Sequence, residues 1–73
     1  MEYVFFEIKE HSDGTFSIIA KIRTPRSLSE SIYQHPALEK LSLCEAVFHL
    51  SEIIKKGPTP ASEIVKDWVL LAK

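Results

Sequence analysis

Residues 3 to 23 alternate in side-chain character on either side of one Ser-Asp-Gly interruption, which restricts this stretch to a pair of antiparallel strands. Val4, Phe6 and Ile8 share one direction, and Phe16, Ile18, Ala20 and Ile22 share one on the second run. A two-residue turn at Asp13-Gly14 would set Ile8 opposite Ile19 and Phe6 opposite Lys21, mixing the two faces. A loop of Ser12, Asp13 and Gly14, with Gly14 left-handed as a bulge, instead pairs Ile8 with Ile18, Phe6 with Ala20 and Val4 with Ile22. The expected hairpin therefore spans residues 2–23 and has one apolar face.

Two helices are expected further on. Ser42 with Glu45 forms a capping box before Leu43, Ala46, Val47, Leu50, Ile53 and Ile54, and Lys55-Lys56-Gly57-Pro58 ends the run, giving a helix over 43–56. Thr59 as N-cap and Pro60 at the first helical position open a second helix over 60–72, with Ala61, Ile64, Val65, Trp68, Leu71 and Ala72 on its apolar face. Between hairpin and helices lies an irregular segment, 24–41, interrupted at Pro25 and Pro36. Within it, residues 27–34 fit either a short helix begun by the Ser27-Leu28-Ser29-Glu30 capping box or a third strand over Ser31 to Gln34. The fold class is α+β, one domain over 1–73. An antiparallel hairpin, with or without a third strand, packs its Val4/Phe6/Ile8/Phe16/Ile18/Ile22 face against the helices through Val47, Leu50, Ile54, Ile64, Trp68 and Leu71.

Composition sets the scale of what such a domain can do. With 45% apolar and 26% charged residues the chain is an ordinary globular one. At 73 residues it buries only roughly 60% of its unfolded surface, so self-association is an expected source of further stability. Nine cations balance ten acids, and residues 1–40 and 41–73 are each close to neutral, which argues against a strongly phosphate-driven nucleic-acid partner. The longest apolar run, Trp68 to Ala72, is five residues and falls well short of a membrane span. Cys44 is the one cysteine, and no secretory leader is visible, so the expected address is cytoplasmic.

Nothing in the chain spells out a reaction. Cys44 and His49 are five apart on the first helix, about 140° around its axis, and cannot chelate one ion together. One Cys and three scattered His fall short of a structural zinc site, and two glycines leave no phosphate-cradling loop. His11 beside the turn and His35 before a proline read as solvated surface histidines, and Cys44 as a small semi-buried hydrophobe. No catalytic residue, cofactor or metal is assigned, and the protein is expected not to be an enzyme.

What remains are side chains on unexpected faces. The hairpin's outer face carries Tyr3 opposite Arg23 and Phe5 opposite Lys21, a mixture that suits either a stacking platform for single-stranded nucleic acid or ordinary cross-strand pairing. Phe48 falls about 160° from Leu50, among Glu52 and Lys55. Leu70 projects between Glu63 and Lys66 of the second helix, nearly opposite Trp68. Phe48, Leu70, Tyr3, Phe5, Lys21 and Arg23 are the candidate partner-binding residues, for a larger protein that this one binds and inhibits, or for a second copy. Nucleic acid is the alternative partner.

Met1-Glu2-Tyr3-Val4-Phe5-Phe6-Glu7-Ile8, the turn Ser12-Asp13-Gly14-Thr15-Phe16, and Leu43-Cys44-Glu45-Ala46 leading to Gly57-Pro58-Thr59-Pro60 resemble the pattern of HicB-type antitoxin domains. The resemblance covers the hairpin and one helix, about half the chain. It implies a hairpin followed by a third strand and a helix, and a non-catalytic partner that caps a toxin's active surface. No functional residue is carried over from it. The passage after the second strand departs from that family, being the longer segment from Thr24 to Leu41. The expected action is stoichiometric, antitoxin-like or phage-inhibitor-like.

Overall fold

A computed structural model describes residues 3–23 and 30–72. The elements run β1 (Tyr3–Glu10), β2 (Phe16–Arg23), β3 (Glu30–Gln34), α1 (Leu43–Lys55), α2 (Ala61–Asp67) and β4 (Val69–Ala72). The strands form one antiparallel sheet in the order β1-β2-β3-β4, and the fold is α+β.

The hairpin takes the register that keeps its apolar side chains together: Val4 faces Ile22, Phe6 faces Ala20 and Ile8 faces Ile18. Its turn closes through the Gly14 N–H donating to the His11 carbonyl (3.1 Å) and the His11 N–H donating to the Thr15 carbonyl (2.9 Å). Gly14 sits at φ 85°, a left-handed conformation that costs glycine little. Asp13 braces the turn, its Oδ1 accepting from the Thr15 hydroxyl (2.6 Å) and backbone N–H (3.0 Å).

Residues 30–34 are the third strand, which settles that part of the ambiguous segment. Tyr33 pairs with Ala20 on the apolar face while Ile32 and Gln34 turn outward, an alternation a short helix could not supply. The Ser27-Leu28-Ser29 part of the rival capping box lies outside the described residues. After Gln34 the chain makes a turn closed by Leu38 N–H to the His35 carbonyl. It then returns to β2, where Phe16 and Leu41 exchange two backbone hydrogen bonds of 2.8 Å.

Helix α1 begins as its sequence requires. Ser42 Oγ accepts from the Glu45 N–H (3.2 Å) and Glu45 Oε1 accepts from the Ser42 N–H (3.0 Å), a complete capping box. It ends at Gly57, whose φ of 92° turns the chain away. The buried direction of α1 is centred on Ala46 and Ile53, not on Leu50. As a result Val47 and Ile54, expected in the core, are 49% and 66% exposed.

The second helix departs most from expectation. It spans seven residues and not 60–72, its N-cap position is Pro60 and not Thr59, and no side chain caps it. At Trp68 the backbone becomes extended (φ −106°, ψ 153°) and residues 69–72 pair with β3. A run of aromatic, β-branched and leucine side chains suits strand as well as helix, and the free edge of β3 offers hydrogen-bond partners that a longer helix would have left unused. Leu71, expected in the core, is therefore half exposed on β4.

The helices cover one face of the sheet. Ile18, Leu41 and Ala46 form one buried cluster with Phe6, Ile8, Phe16, Leu50 and Ile53, and Ala20, Ile22 and Ile64 form another with Val4 and Tyr33. Phe6 and Trp68 belong to both, with ring centroids 5.8 Å apart. No helix among the described residues is long and apolar enough to cross a membrane.

Candidate interaction surface

Because the helices lie on one side only, the other side of the sheet carries its own row of side chains, exposed along β1 and closed over Ser17 and Ile19 of β2. The register places Tyr3, Phe5, Glu7 and Lys9 of β1, Ile19, Lys21 and Arg23 of β2, Ile32 and Gln34 of β3, and Val69 of β4 on this outer face. Tyr3 and Phe5 are each 48% exposed and lie stacked, with centroids 6.4 Å apart and planes 28° from parallel. Ile19 is nearly enclosed by its cross-strand neighbours, so the face has an apolar floor without any helix above it.

One cation on this face is held in an ion pair, a second only faces a carboxylate across the ladder, and Lys9 stands opposite Ser17. Lys21 Nζ lies 3.0 Å from Glu7 Oε2, and Arg23 stands opposite Glu30 in the β2–β3 register. Four of the six sequence candidates, Tyr3, Phe5, Lys21 and Arg23, thus meet in one patch. The other two do not join it. Phe48 is 61% exposed on α1, edge-on to the His49 ring, in the helical layer on the far side of the sheet. Leu70 is on β4, not on a helix, and its pairing with Tyr33 places it on the helix-bearing face of the sheet. A single flat partner cannot contact Phe48 and the outer sheet face together.

A second apolar strip was missed from sequence. Leu43, Val47 and Ile54 on α1 are exposed, and Ile54 shares a cleft of about 460 Å³ with Tyr3, Val4 and Phe6 of β1 and with Pro58 and Pro60. The apolar stripe of α1 is wider than one sheet face can cover. That width is the signal that could have identified the strip.

The polar groups have structural employment. Ser17 is wholly buried, and its hydroxyl shares a 2.8 Å hydrogen bond with His11 Nε2, so the pair satisfies an enclosed hydroxyl and offers no reachable nucleophile. His11 is accordingly half-buried. So is His35, whose Nδ1 accepts from the Ala37 N–H (3.1 Å) while its ring stands edge-on to Trp68, 5.3 Å between centroids. Both depart from the solvated placement expected of them, because the turn and the aromatic cluster fold over them. Cys44, expected to be semi-buried, is exposed. Asp13 is held below the usual carboxylate range by the Thr15 hydroxyl and then its N–H, and Glu45 by the Ser42 N–H and then its hydroxyl. Among the described residues no three His, Cys, Asp or Glu side chains converge as metal ligands would. A polar cleft of about 370 Å³ beside the hairpin turn includes Gln34 and Glu39, whose side chains hydrogen-bond to each other.

The chain matches no family profile, no curated protein and no solved structure.

Proposed function

We propose that this protein is a non-enzymatic binding domain that docks the outer face of its sheet onto a larger protein and modulates it, stoichiometrically, in the antitoxin-like or phage-inhibitor-like manner its sequence suggests. The supporting observation is the sheet face that no helix covers among the described residues, where a stacked Tyr3–Phe5 pair and Val69 are half-exposed around the enclosed Ile19. Aromatic side chains on a rigid strand bring large contact area at little entropic cost, as binding hot spots do. With Lys21 satisfied by Glu7, the matching partner surface is apolar and weakly charged. Capture of host proteins on immobilised protein, compared with the Tyr3→Ser/Phe5→Ser variant, tests this. The variant should keep its circular dichroism spectrum and lose the specific partner, and an unchanged captured set would refute the assignment.

The stacked Tyr3–Phe5 pair also suits single-stranded nucleic acid, the second reading. Lys21 is already paired with Glu7, so phosphate would compete with that carboxylate for it. Salt-sensitive binding of a labelled oligonucleotide that the same variant abolishes would favour this reading over the protein partner.

A further inference from the structure

We infer that two copies of this chain associate through β1, joining their sheets edge to edge about a dyad at Phe6 while the α1 helices pack against each other across the same axis. This surface is separate from the outer sheet face, and the inference does not depend on what binds there.

The two edges of the sheet differ in how they are protected. β4 has four residues, and its register with β3 shifts between Ile32 and Tyr33, two devices that discourage strand addition. β1 has eight residues in unbroken register with β2 and no proline, and the one charge on its helix-facing side, Glu10, stands at the turn end. Its outward backbone groups can be assigned. Phe16 and Ile18 of β2 bond away from β1, to Leu41 and Leu38. Their cross-strand partners, and every second residue with them, therefore turn away from β2 as well. The N–H and C=O groups of Val4, Phe6 and Ile8 face an edge on which no described strand pairs.

The sequence of β1 is complementary to itself in one register. With the dyad at Phe6, Val4 stands opposite the partner's Ile8, Phe6 opposite the partner's Phe6, and Ile8 opposite the partner's Val4. The helix-facing row of Val4, Phe6 and Ile8 becomes continuous across the junction, with Glu10 beyond its end. On the other face Tyr3 meets the partner's Lys9 and Phe5 meets the partner's Glu7, with no like charges directly opposed. A dyad at Glu7 would set two carboxylates face to face. A dyad at Ile8 would place Phe6 against the partner's Glu10.

The exposed strip on α1 fits the same axis. Leu43, Val47, Leu50 and Ile54 are spaced four, three and four apart, the repeat of a helix–helix seam. α1 runs antiparallel to β1: Ala46 clusters with Ile8 near the hairpin turn, and Ile54 lies with Tyr3 and Val4 at the other end. An axis through Phe6 therefore crosses α1 close to Leu50, bringing Leu43 towards the partner's Ile54 and Val47 towards the partner's Leu50. The spacing also closes. Strands lie about 4.8 Å apart, so a helix seated over β1 and β2 sits about 4.8 Å from the dyad, and the two axes about 9.6 Å apart, within the 8–10 Å at which helices pack. The cleft between Val4 and Ile54 receives the partner's Ile8.

Sedimentation equilibrium over a concentration series tests the association. The wild type should approach twice the 8.3 kDa chain mass. Ile54→Asp sets a charge into the seam from an exposed site and should weaken the dimer by at least about tenfold. Chemically synthesised protein with an N-methyl group on the Phe6 amide keeps every side chain and every β1–β2 hydrogen bond, and should also weaken it, with an unchanged monomer circular dichroism spectrum. A wild type that stays at the single-chain mass at high micromolar concentration overturns the inference. So does a dimer that neither change affects.

Discussion

Helix α1 and the stretch from Thr59 to Ala72 are close in length and apolar content, yet the first ends where its sequence places its ends and the second does not. α1 is bounded at both ends by local chemistry, the Ser42/Glu45 box before it and Gly57 in a left-handed conformation after it. The later stretch has no side-chain cap at its start, and its end is set by Trp68 entering the core and by the free edge of β3. Local signals decide an element when its termini are chemically marked. Otherwise the remainder of the fold decides it.

The largest expected effect tests the tertiary half of this contrast. Trp68→Ala removes the side chain that belongs to both buried clusters and should cost about 3 kcal/mol in chemical denaturation, somewhat less than a fully enclosed tryptophan would. β4 should then separate from β3, read as faster amide exchange at Ile32 and Gln34, while α1 amides change only in step with global stability. Selective loss of α1 protection would reverse the contrast.

A smaller effect tests the local half. Ser42→Ala removes one partner of the capping box and should cost about 1 kcal/mol, whereas Thr59→Ala, at a site with no capping bond, should stay within about 0.5 kcal/mol. Equal costs would mean that α2 is capped in solution in a way its geometry does not show.

The smallest effect is pH-dependent. Asp13 and Glu45 both titrate lower in the folded chain, so the unfolded chain binds more protons as pH falls below about 4. Their contribution is complete above that range and is lost as pH drops through the lowered folded values. The hairpin turn and the first turn of α1 should therefore loosen together in an acid titration followed by amide exchange. The Asp13→Asn/Glu45→Gln variant should show a flatter profile, and an unchanged profile would count against both bonds.

The hairpin was legible down to individual cross-strand pairs, because a period of two allows one register that keeps Val4, Phe6 and Ile8 with Ile18, Ala20 and Ile22. The surface patch at Tyr3, Phe5, Lys21 and Arg23 followed from that register. Leu70 did not, since its placement depended on a helix that gives way to strand. Val47 and Ile54 were misplaced for a different reason: the helix is apolar over a wider arc than the sheet beneath it covers, and sequence periodicity does not indicate which part of such an arc turns inward.

That Phe6 and Trp68 join both clusters has a consequence for synthesis on the ribosome. The first of these side chains is made before the second, with more than sixty residues between them. The apolar face of the hairpin therefore waits, covered at most in part by α1, until residue 68 has cleared the exit tunnel. Throughout that interval it is a surface on which nascent-chain chaperones can act.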